Sequence, residues 1–287
     1  MISFMLALSL ISFHLFASTE KVIYGEDNRV DVFETTNPEF AKYASATLAR
    51  VHKKDVKGWA LSKTWELSTM SLEDAGVCKA ERFSSQPTVA SCTGFLVSPK
   101  HIVTAGHCMS AKECNSGSFY WLFDYHMPSE GEFNPKRPRE QFVSCKRVVK
   151  QVLDDATGMD YSLIELTKEV TDREPLKFRQ TGTPSVGDHL VVIGHPTGLP
   201  TKIADGAQVR VVNNVFFEAN LDTFGGNSGS PVINTLSGEV EGILVRGDTD
   251  YVQDTENKCM KVNVLSDEEG TEASTLITNI KELRSLN

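Results

Sequence analysis

One serine in this sequence lies among small side chains and could act as a nucleophile. The stretch reads Thr223-Phe224-Gly225-Gly226-Asn227-Ser228-Gly229-Ser230-Pro231-Val232. Gly226 and Gly229 permit turns that a Cβ atom would block, and they leave backbone N–H groups uncovered beside the Ser228 hydroxyl. Acyl transfer needs such donors next to a nucleophile, because they stabilise the oxyanion that develops on the attacked carbonyl. The simpler interpretation is a Gly/Ser surface turn, which such clusters usually form.

A serine hydroxyl is a weak nucleophile at neutral pH, so it needs a base, usually a histidine held by a carboxylate. Among the seven histidines, His107 has the most informative surroundings, because the apolar run Ile102-Val103 leads through small residues to His107 and Cys108. Cys92 opens the preceding apolar run. A Cys92–Cys108 disulfide would join adjacent strands beside the histidine and would stabilise the fold by roughly 3 kcal/mol. His195 lies among turn formers and is interpreted as a loop residue.

Two motifs resemble the signature sites of the chymotrypsin-like (trypsin-like) serine proteases. They are T-A-G-H-C at Thr104–Cys108 and G-N-S-G-S-P at Gly226–Pro231. The double glycine before Asn227 is similar to the bacterial branch that includes the glutamyl endopeptidases, as is Val22-Ile23 followed by Asp27-Asn28-Arg29. The resemblance covers about residues 85–265.

The resemblance implies a Ser-His-Asp triad in which Ser228 is the nucleophile and His107 the base. The family carries its aspartate between them, at the start of an apolar strand, and Asp160 stands at the start of such a run. Asp154 and Asp155 are nearby competitors, but no apolar strand follows them directly.

The resemblance also implies an oxyanion hole formed by the backbone N–H groups of Gly226 and Ser228. A lipase-type hydrolase would need G-x-S-x-G and the chain order Ser, acid, His. Here Ser230 replaces the second glycine and the order is His, Asp, Ser, so the lipase fold is not expected. This chemistry needs no cofactor and no metal.

Four residues are implied to line the substrate pocket, namely Asp222, Thr223, Leu244 and Arg246. Thr223 matches the threonine of glutamate-preferring relatives, whereas Leu244 replaces their histidine. Asp222 stands where trypsin-like enzymes select basic residues, but other relatives share it, so its side chain either faces the pocket or points away. Arg246 would add positive charge near the substrate. The preferred residue on the acyl side of the scissile bond (P1) therefore stays open.

Trypsin-type enzymes mature by burying a new N-terminus against an aspartate immediately before the serine. This chain has Asn227 there, so that activation is not expected. Removal of residues 18–21 or more would still be compatible with the sequence.

The elements that must position these residues are short strands. From about Val89, apolar and β-branched runs recur between turn formers, and a break near residues 181–185 divides them into two sets. Runs of strand length at this density are typical of all-β sandwiches or barrels. With the resemblance, we expect two packed six-stranded Greek-key β-barrels over residues 81–178 and 179–265, with the site in the cleft between them.

A C-terminal amphipathic helix is expected within residues 266–287. Thr271 would be its N-cap. Apolar side chains then fall on one helical face and would pack on the second barrel, namely Leu276, Ile277, Ile280 and Leu283.

The region before the barrels is expected to contain a signal peptide over residues 1–17 and an N-terminal extension or pro-region over residues 18–80. Residues 1–17 are apolar but short, and the alternative is a membrane anchor of marginal length. A helix is predicted with Asn37 as N-cap and Pro38 at its first position, and apolar residues follow at roughly helical spacing as far as Val51.

Six cysteines in an exported chain predict disulfides, although they allow 15 pairings and the sequence alone does not choose among them. Cys114 and Cys145 fall within the first β unit and could pair, and Cys78 would then meet Cys259. No pair has the CxxC spacing of a zinc site. The net charge of −9 argues against nucleic acid and anionic membrane surfaces as partners.

The function that this sequence predicts is a secreted or periplasmic serine endopeptidase acting on protein or peptide substrates, with no stable membrane insertion. The alternatives are a protease-fold binding protein or toxin with little turnover, and a serine esterase that uses the same residues.

Overall fold

The structure is a computed structural model that describes residues 22–269 and 272–286. The predicted signal peptide and the predicted N-cap Thr271 lie outside the described residues. Within those two ranges, no helix has the length and apolarity needed to cross a bilayer.

Strands dominate the described structure. The strands that precede the T-A-G-H-C region are β1 (Ile23–Tyr24), β2 (Arg29–Asp31), β3 (Thr47–His52), β4 (Val56–Lys57), β5 (Thr64–Leu67), β6 (Met70–Ser71) and β7 (Pro87–Thr88). The next group is β8 (Ala90–Ser98), β9 (His101–Thr104), β10 (Phe119–Phe123), β11 (Lys136–Pro138), β12 (Phe142–Val143), β13 (Cys145–Asp154) and β14 (Met159–Leu166).

The remaining strands are β15 (His189–Gly194), β16 (Lys202–Val212), β17 (Phe216–Ala219), β18 (Pro231–Asn234), β19 (Val240–Arg246), β20 (Tyr251–Asp254), β21 (Cys259–Val262), β22 (Val264–Leu265) and β23 (Glu272–Leu276). The α-helices among the described residues are α1 (Pro38–Ser45) and α2 (Ala111–Ser116).

The first barrel is a sheet of seven antiparallel strands in the order β12-β10-β3-β8-β9-β14-β13. Its edge strands, β12 and β13, are neighbours in the chain and are separated only by Ser144. The sheet therefore curls until its edges meet at that residue. Phe95, Trp121 and Leu163 are completely buried in the hydrophobic cluster that fills it.

In the second barrel, each strand is hydrogen-bonded to the strand on either side of it. Its order is β15-β18-β19-β23-β17-β16, and β16 pairs back to β15. β2 adds to the outer edge of β16. A second cluster, which includes Val192, Phe217 and Leu244, fills this barrel. The all-β class with two packed barrels is confirmed, although only the second is a closed barrel of six strands.

The predicted N-terminal extension over residues 18–80 is not separate from the first barrel. β3 lies in the middle of that sheet, where Leu48 stands opposite Gly94 of β8 and Phe123 of β10. The boundary predicted between residues 80 and 81 is therefore corrected: the first barrel begins at β3, and residues 53–89 are an insertion between β3 and β8.

Helix α1 begins as predicted, because the Asn37 side chain accepts a hydrogen bond from the Glu39 N–H at 3.0 Å and Pro38 follows it. It ends at Ser45, however, and does not continue to Val51. The residues of β3 are buried on both faces of the sheet, and its apolar residues Leu48 and Val51 continue the spacing of the apolar residues of α1. Such a run matches helical spacing by chance.

The predicted C-terminal amphipathic helix is wrong. Leu276 ends β23, which the second barrel needs for closure, and stands opposite Gly242 of β19. Short 3-10 turns follow at Ile277–Asn279 and Lys281–Ser285. Ile277, Ile280 and Leu283 are buried, as predicted, but a three-residue spacing suits a 3-10 turn as well as an α-helix.

Three disulfides join the six cysteines: Cys92–Cys108, Cys114–Cys145 and Cys78–Cys259. Cys78 belongs to the insertion after β3, whereas Cys259 opens β21. This third bridge therefore ties the insertion to the β20–β21 hairpin that follows β19.

Replacing both Cys78 and Cys259 by serine is expected to lower the free energy of unfolding by about 2–5 kcal/mol, because the bridge restricts a very long segment of the unfolded chain. The two cysteines are 181 residues apart. Guanidinium denaturation of the oxidised protein measures the change. The double serine variant at Cys114 and Cys145, which are 31 residues apart, is the matched control and should lose less. An unchanged midpoint for the Cys78/Cys259 variant would contradict this expectation.

Candidate active site

His107 and Asp160 meet because the strands that carry them are neighbours. His107 lies in the 3-10 turn Gly106–Cys108 directly after β9, and Asp160 is the second residue of β14, which pairs with β9. The His107 Nδ1 atom is 2.6 Å from Asp160 Oδ2. Asp160 Oδ1 accepts from the N–H groups of Gly106 and His107. One carboxylate therefore fixes both the imidazole and the backbone that carries it.

The backbone around this pair is held from several sides. Gly106 is required by close approach, since a Cβ there would lie 2.2 Å from the Val152 carbonyl oxygen. The Gln151 amide donates to the Gly106 carbonyl at 2.6 Å. The Asp160 N–H donates at 3.3 Å to the hydroxyl of Thr275, which belongs to the second barrel. The geometry of the pair therefore depends on contacts from both barrels.

Ser228 lies in a tight loop immediately before β18. The N–H of Asn227 donates to the Phe224 carbonyl at 2.9 Å, and the N–H of Ser230 donates to the Asn227 carbonyl at 2.8 Å. Gly229 has a φ of +91°, and a Cβ on it would lie 2.0 Å from the Thr93 carbonyl oxygen. Only glycine lets this loop come so near the first barrel.

Thr93, a completely buried residue of β8, holds the serine loop against the first barrel. Its N–H donates to the Ser228 carbonyl at 2.8 Å, and its hydroxyl donates to the Gly226 carbonyl at 2.8 Å. The same hydroxyl accepts from the His195 N–H at 3.2 Å. The sequence gives no signal for this role, because these second-barrel partners are at least 102 residues away along the chain.

The predicted Cys92–Cys108 disulfide is confirmed, and it lies between the two halves of the site. Cys108 directly follows His107, and its sulfur is 3.5 Å from the Ser228 carbonyl oxygen. The fold thus places the loop that carries Ser228 beside the turn that carries His107, where the two barrels meet.

Residues 92–243, which contain Ser228, His107 and Asp160, match the family model of the trypsin-like peptidase domain. The matched segment runs from the cysteine beside Thr93 to the middle of β19 and covers more than half of the chain. The chain belongs to the trypsin-like peptidase family.

Two characterised relatives have similar sequences. The chain is 27% identical over 154 residues to a glutamyl endopeptidase of Bacillus licheniformis, covering 52% of this chain and 47% of that protein. It is 26% identical over 185 residues to the thrombin-like enzyme acutin of Deinagkistrodon acutus, covering 54% of this chain and 73% of that protein. The chain thus spans about half the length of the glutamyl endopeptidase. A solved Glu endopeptidase structure has a TM-score of 0.49 and 15% identity, covering 92% of this chain and 97% of that one.

The backbone of the serine loop in this peptidase domain suits the predicted oxyanion hole. Gly226 has a φ of +96°, and a Cβ there would lie 2.4 Å from the His195 carbonyl oxygen. No described residue accepts a hydrogen bond from the Gly226 N–H. The pairing of Gly226 with Ser228 as oxyanion donors stays a prediction.

His195 is a buried support for this loop. Its Nδ1 lies 3.2 Å from the Leu199 carbonyl oxygen, and complete burial lowers the pKa of the imidazole to about 3. The ring is therefore neutral at physiological pH, which fits the interpretation of His195 as a loop residue without a role in proton transfer.

Asp222, predicted as a pocket residue, binds the N-terminal segment of the peptidase. One carboxylate oxygen accepts from the Tyr24 N–H at 2.9 Å and the other from the Asn28 N–H at 2.8 Å. Burial raises the pKa of this carboxyl to about 6. Of the two alternatives, the side chain therefore points away from the substrate, and its assignment to the pocket is corrected.

The other three predicted pocket residues have different surroundings. The Thr223 hydroxyl donates to Glu272 at 2.6 Å. Leu244 is completely buried in the core of the second barrel, so its assignment to the pocket is wrong. Arg246 donates to the Gly158 carbonyl at 2.9 Å, in the turn that precedes Asp160.

The described residues offer two groups of cysteine, histidine and aspartate that are close enough for a metal ion. They are Cys92-His107-Cys108 and Cys78-Asp254-Cys259. In both groups the two cysteines form a disulfide and have no thiolate to give a metal. Neither group is therefore suited to bind one.

Replacing Thr93 by valine, which has the same shape, is expected to lower the free energy of unfolding by about 1–3 kcal/mol. The half-buried Gly226 carbonyl and the buried His195 N–H would each lose their partner. Chemical denaturation measures the loss, and Thr93→Ser, which keeps the hydroxyl, is the matched control. A valine variant as stable as the wild type would show that these bonds do not hold the loop.

Asp222 should make this peptidase domain less stable as pH rises from about 4 to 6. A pKa raised from 3.8 to about 6 means that the folded state binds the proton more tightly than the unfolded state. The stabilisation of the folded state by protonated Asp222 is complete below pH 3.8 and is lost as the pH rises through 6. The change is about 3 kcal/mol. Asp222→Asn loses one of the two acceptor oxygens at every pH, but its stability relative to wild type should rise by that amount between pH 4 and 7.

The measurement for Asp222 is the free energy of unfolding of both proteins across this pH range. Asp154→Asn is the control with opposite sign, because hydrogen bonds from Thr157 and Ala156 lower the pKa of Asp154. A pH-independent difference between wild type and Asp222→Asn would contradict the assignment.

Proposed function

We propose that this chain is an exported serine endopeptidase that hydrolyses peptide bonds through Ser228, His107 and Asp160. The observation that carries the proposal is the 2.6 Å hydrogen bond between His107 Nδ1 and Asp160 Oδ2, beside the loop of Ser228. It fixes the tautomer in which Nδ1 bears the proton and Nε2 is free to act as a base.

Acylation begins when the Ser228 hydroxyl oxygen attacks the substrate carbonyl carbon. His107 Nε2 takes the hydroxyl proton as the new C–O bond forms, and the carbonyl electron pair moves onto oxygen. Asp160 stabilises the imidazolium. Collapse of the tetrahedral intermediate breaks the C–N bond, and the same proton passes from His107 to the leaving amine.

The oxyanion is stabilised by the N–H groups of Gly226 and Ser228. The loss of one such donor costs an enzyme about 3–4 kcal/mol of transition-state stabilisation. Water then attacks the acyl-enzyme with His107 again as base, which releases the acid and regenerates the Ser228 hydroxyl.

Export is supported by the cysteine chemistry. All six cysteines form disulfides, and disulfides persist mainly in oxidising compartments. The apolar segment over residues 1–17 fits a signal peptide. Protein or peptide substrates follow from membership of a peptidase family.

Ser228→Ala should abolish both labelling by a fluorophosphonate and hydrolysis of peptides, because the nucleophile is removed. Asp160→Asn should keep the fold but lower kcat by about 10⁴-fold, since an amide favours the wrong histidine tautomer. Labelling on gels and cleavage of a peptide library measure these outcomes. The matched control is Asp154→Asn, which should stay within about twofold of wild type.

The same assays separate the alternatives. Labelling of Ser228 without peptide turnover would favour a binding protein, and turnover of esters but not peptides would favour an esterase. Full activity in Asp160→Asn together with loss in Asp154→Asn would contradict the proposed triad.

A further inference from the structure

An open groove lies between the first barrel and the insertion that follows β3. Its volume is about 840 Å³, within the range of about 300–1,000 Å³ that ligand sites occupy. The barrel contributes Tyr120 of β10 and Phe142 of β12, and the insertion contributes Trp65 of β5. The triad chemistry uses none of these residues.

These three residues form an aromatic cluster on the surface of the groove. The Trp65 ring centroid is 5.0 Å from that of Tyr120 and 5.1 Å from that of Phe142, and the Tyr120 and Phe142 centroids are 5.7 Å apart. Trp65 and Tyr120 are only half-buried, and Leu61, which also lines the groove, is 98% exposed. The groove therefore offers apolar surface to a side chain of a ligand.

Four cations line the groove together with the aromatic cluster, namely Lys53, Lys63, Arg139 and Lys168. Lys53 Nζ lies 4.5 Å from the Tyr120 ring centroid, and the guanidinium carbon of Arg139 lies 5.4 Å from the Trp65 ring centroid. None of the four cations forms an ion pair with another described residue. Because the net charge of the whole chain is −9, the groove is a local reversal of its sign.

The backbone that carries Lys63 and Arg139 is held by hydrogen bonds. β5 and β11 pair with Thr64 opposite Pro138, and the Arg139 N–H donates to the Lys63 carbonyl at 2.9 Å. The Arg139 guanidinium also donates to the Ala60 carbonyl. A ligand therefore meets two neighbouring cations on backbone that is already ordered.

Glu140 is the acidic residue among those that line the groove. Its backbone carbonyl accepts from Lys168 Nζ at 2.6 Å, which holds this ammonium group at the groove. Partial burial lowers the pKa of Lys168, so its charge is incompletely hydrated and gains from a carboxylate of a ligand. With four cations and one acid, the groove is suited to an anionic ligand.

The groove is separate from the place where Ser228 lies. Asp160 is the second residue of β14, and Thr167, which lines the groove, directly follows the last. The extended chain from Asp160 to Thr167 spans roughly 20 Å at about 3.3 Å per residue. A peptide bound at the active site therefore reaches the groove only with a segment several residues away from its scissile bond.

We propose that the groove binds an acidic segment of protein substrates, in which carboxylates flank one aromatic or aliphatic side chain. The cations bind the carboxylates, and the aromatic cluster contacts the apolar side chain. A sulfated polysaccharide would match the charge but has no apolar side chain for the aromatic cluster. The binding of the segment stands on the groove alone, whereas its place in a substrate rests on the proposed peptidase function.

Binding is measured on the full oxidised chain with Ser228→Ala, which does not cleave the probe. The probe is a fluorescent peptide in which acidic residues flank one phenylalanine, and its anisotropy should give a Kd below about 100 μM. Serine in place of the phenylalanine should weaken binding about tenfold. Raising the salt from about 0.05 M to 0.5 M should weaken it at least about threefold, because salt screens exposed charges. Absence of binding, or binding unaffected by both changes, would overturn the inference.

Charge reversal locates the bound peptide. Lys63→Glu together with Arg139→Glu should raise the Kd at least about tenfold, because two attractions become repulsions. The matched control is Lys281→Glu with Arg284→Glu, which changes the net charge equally at two exposed residues outside the groove. It should alter the Kd less than about twofold. Equal weakening by both double variants would overturn the inference. So would Lys63- and Arg139-dependent binding of dextran sulfate by a chain that does not bind the acidic peptide.

The place of the segment in a substrate is tested by kinetics on the chain with an intact Ser228. Two peptides share one cleavage sequence chosen from the peptide library. One carries the acidic segment at either end through a flexible linker of about twelve residues, whose mean reach is about 20 Å. The other carries a glycine–serine segment instead. The acidic segment should lower KM about tenfold and leave kcat within about twofold, because it adds binding remote from the reacting bond.

Lys63→Glu with Arg139→Glu should remove this difference in KM, and Lys281→Glu with Arg284→Glu should keep it. Equal KM values for the two peptides, with the segment at either end, would overturn the role in substrate binding. If Ser228 does not react with a fluorophosphonate while Ser228→Ala still binds the acidic peptide, the proposed function fails and the binding site stands.

Discussion

The structure depends on the way Thr93 joins two barrels that fold from different parts of the chain. Its backbone and its hydroxyl donate to the Ser228 and Gly226 carbonyls, on either side of Asn227. The neighbouring Cys92 is bonded to Cys108, which follows the histidine of the site. If one barrel were displaced relative to the other, these bonds would resist the movement. The serine and the histidine therefore do not shift independently. The catalytic geometry is a property of the interface and of neither barrel alone.

The three residues that the sequence predicts for the triad each carry a local signal. His107 ends an apolar strand, Asp160 begins one, and Ser228 lies in a glycine-rich turn, so each could be recognised from its immediate neighbours. The disulfide beside His107 was also predictable from adjacent strands. By contrast, the sequence predicts helix over β3 because its apolar residues Leu48 and Val51 continue the spacing of α1. The sequence predicts an α-helix where the C-terminal 3-10 turns lie, because both structures bury every third residue.

The acid beside the serine loop could not be predicted, because strand order decides its position. Glu272 lies far beyond Ser228 in sequence and reaches the loop only because β23 pairs with β19. No motif marks it, whereas Asp222 stands in a marked position and turns out to bind backbone. The family motifs thus predict the residues of the site, while the placement of charge around them follows from how this particular barrel closes.

The Cys78–Cys259 bridge has a consequence for a chain whose backbone is cut by a peptidase. Val186 and Leu236 are exposed in connections between strands, where a peptidase can reach the backbone. Both sites fall inside the segment that the bridge encloses. A chain cut there stays one covalent molecule, its two pieces still paired across the barrels. The bridge thus lets a nicked molecule remain assembled, which would keep it folded for longer where peptidases are abundant.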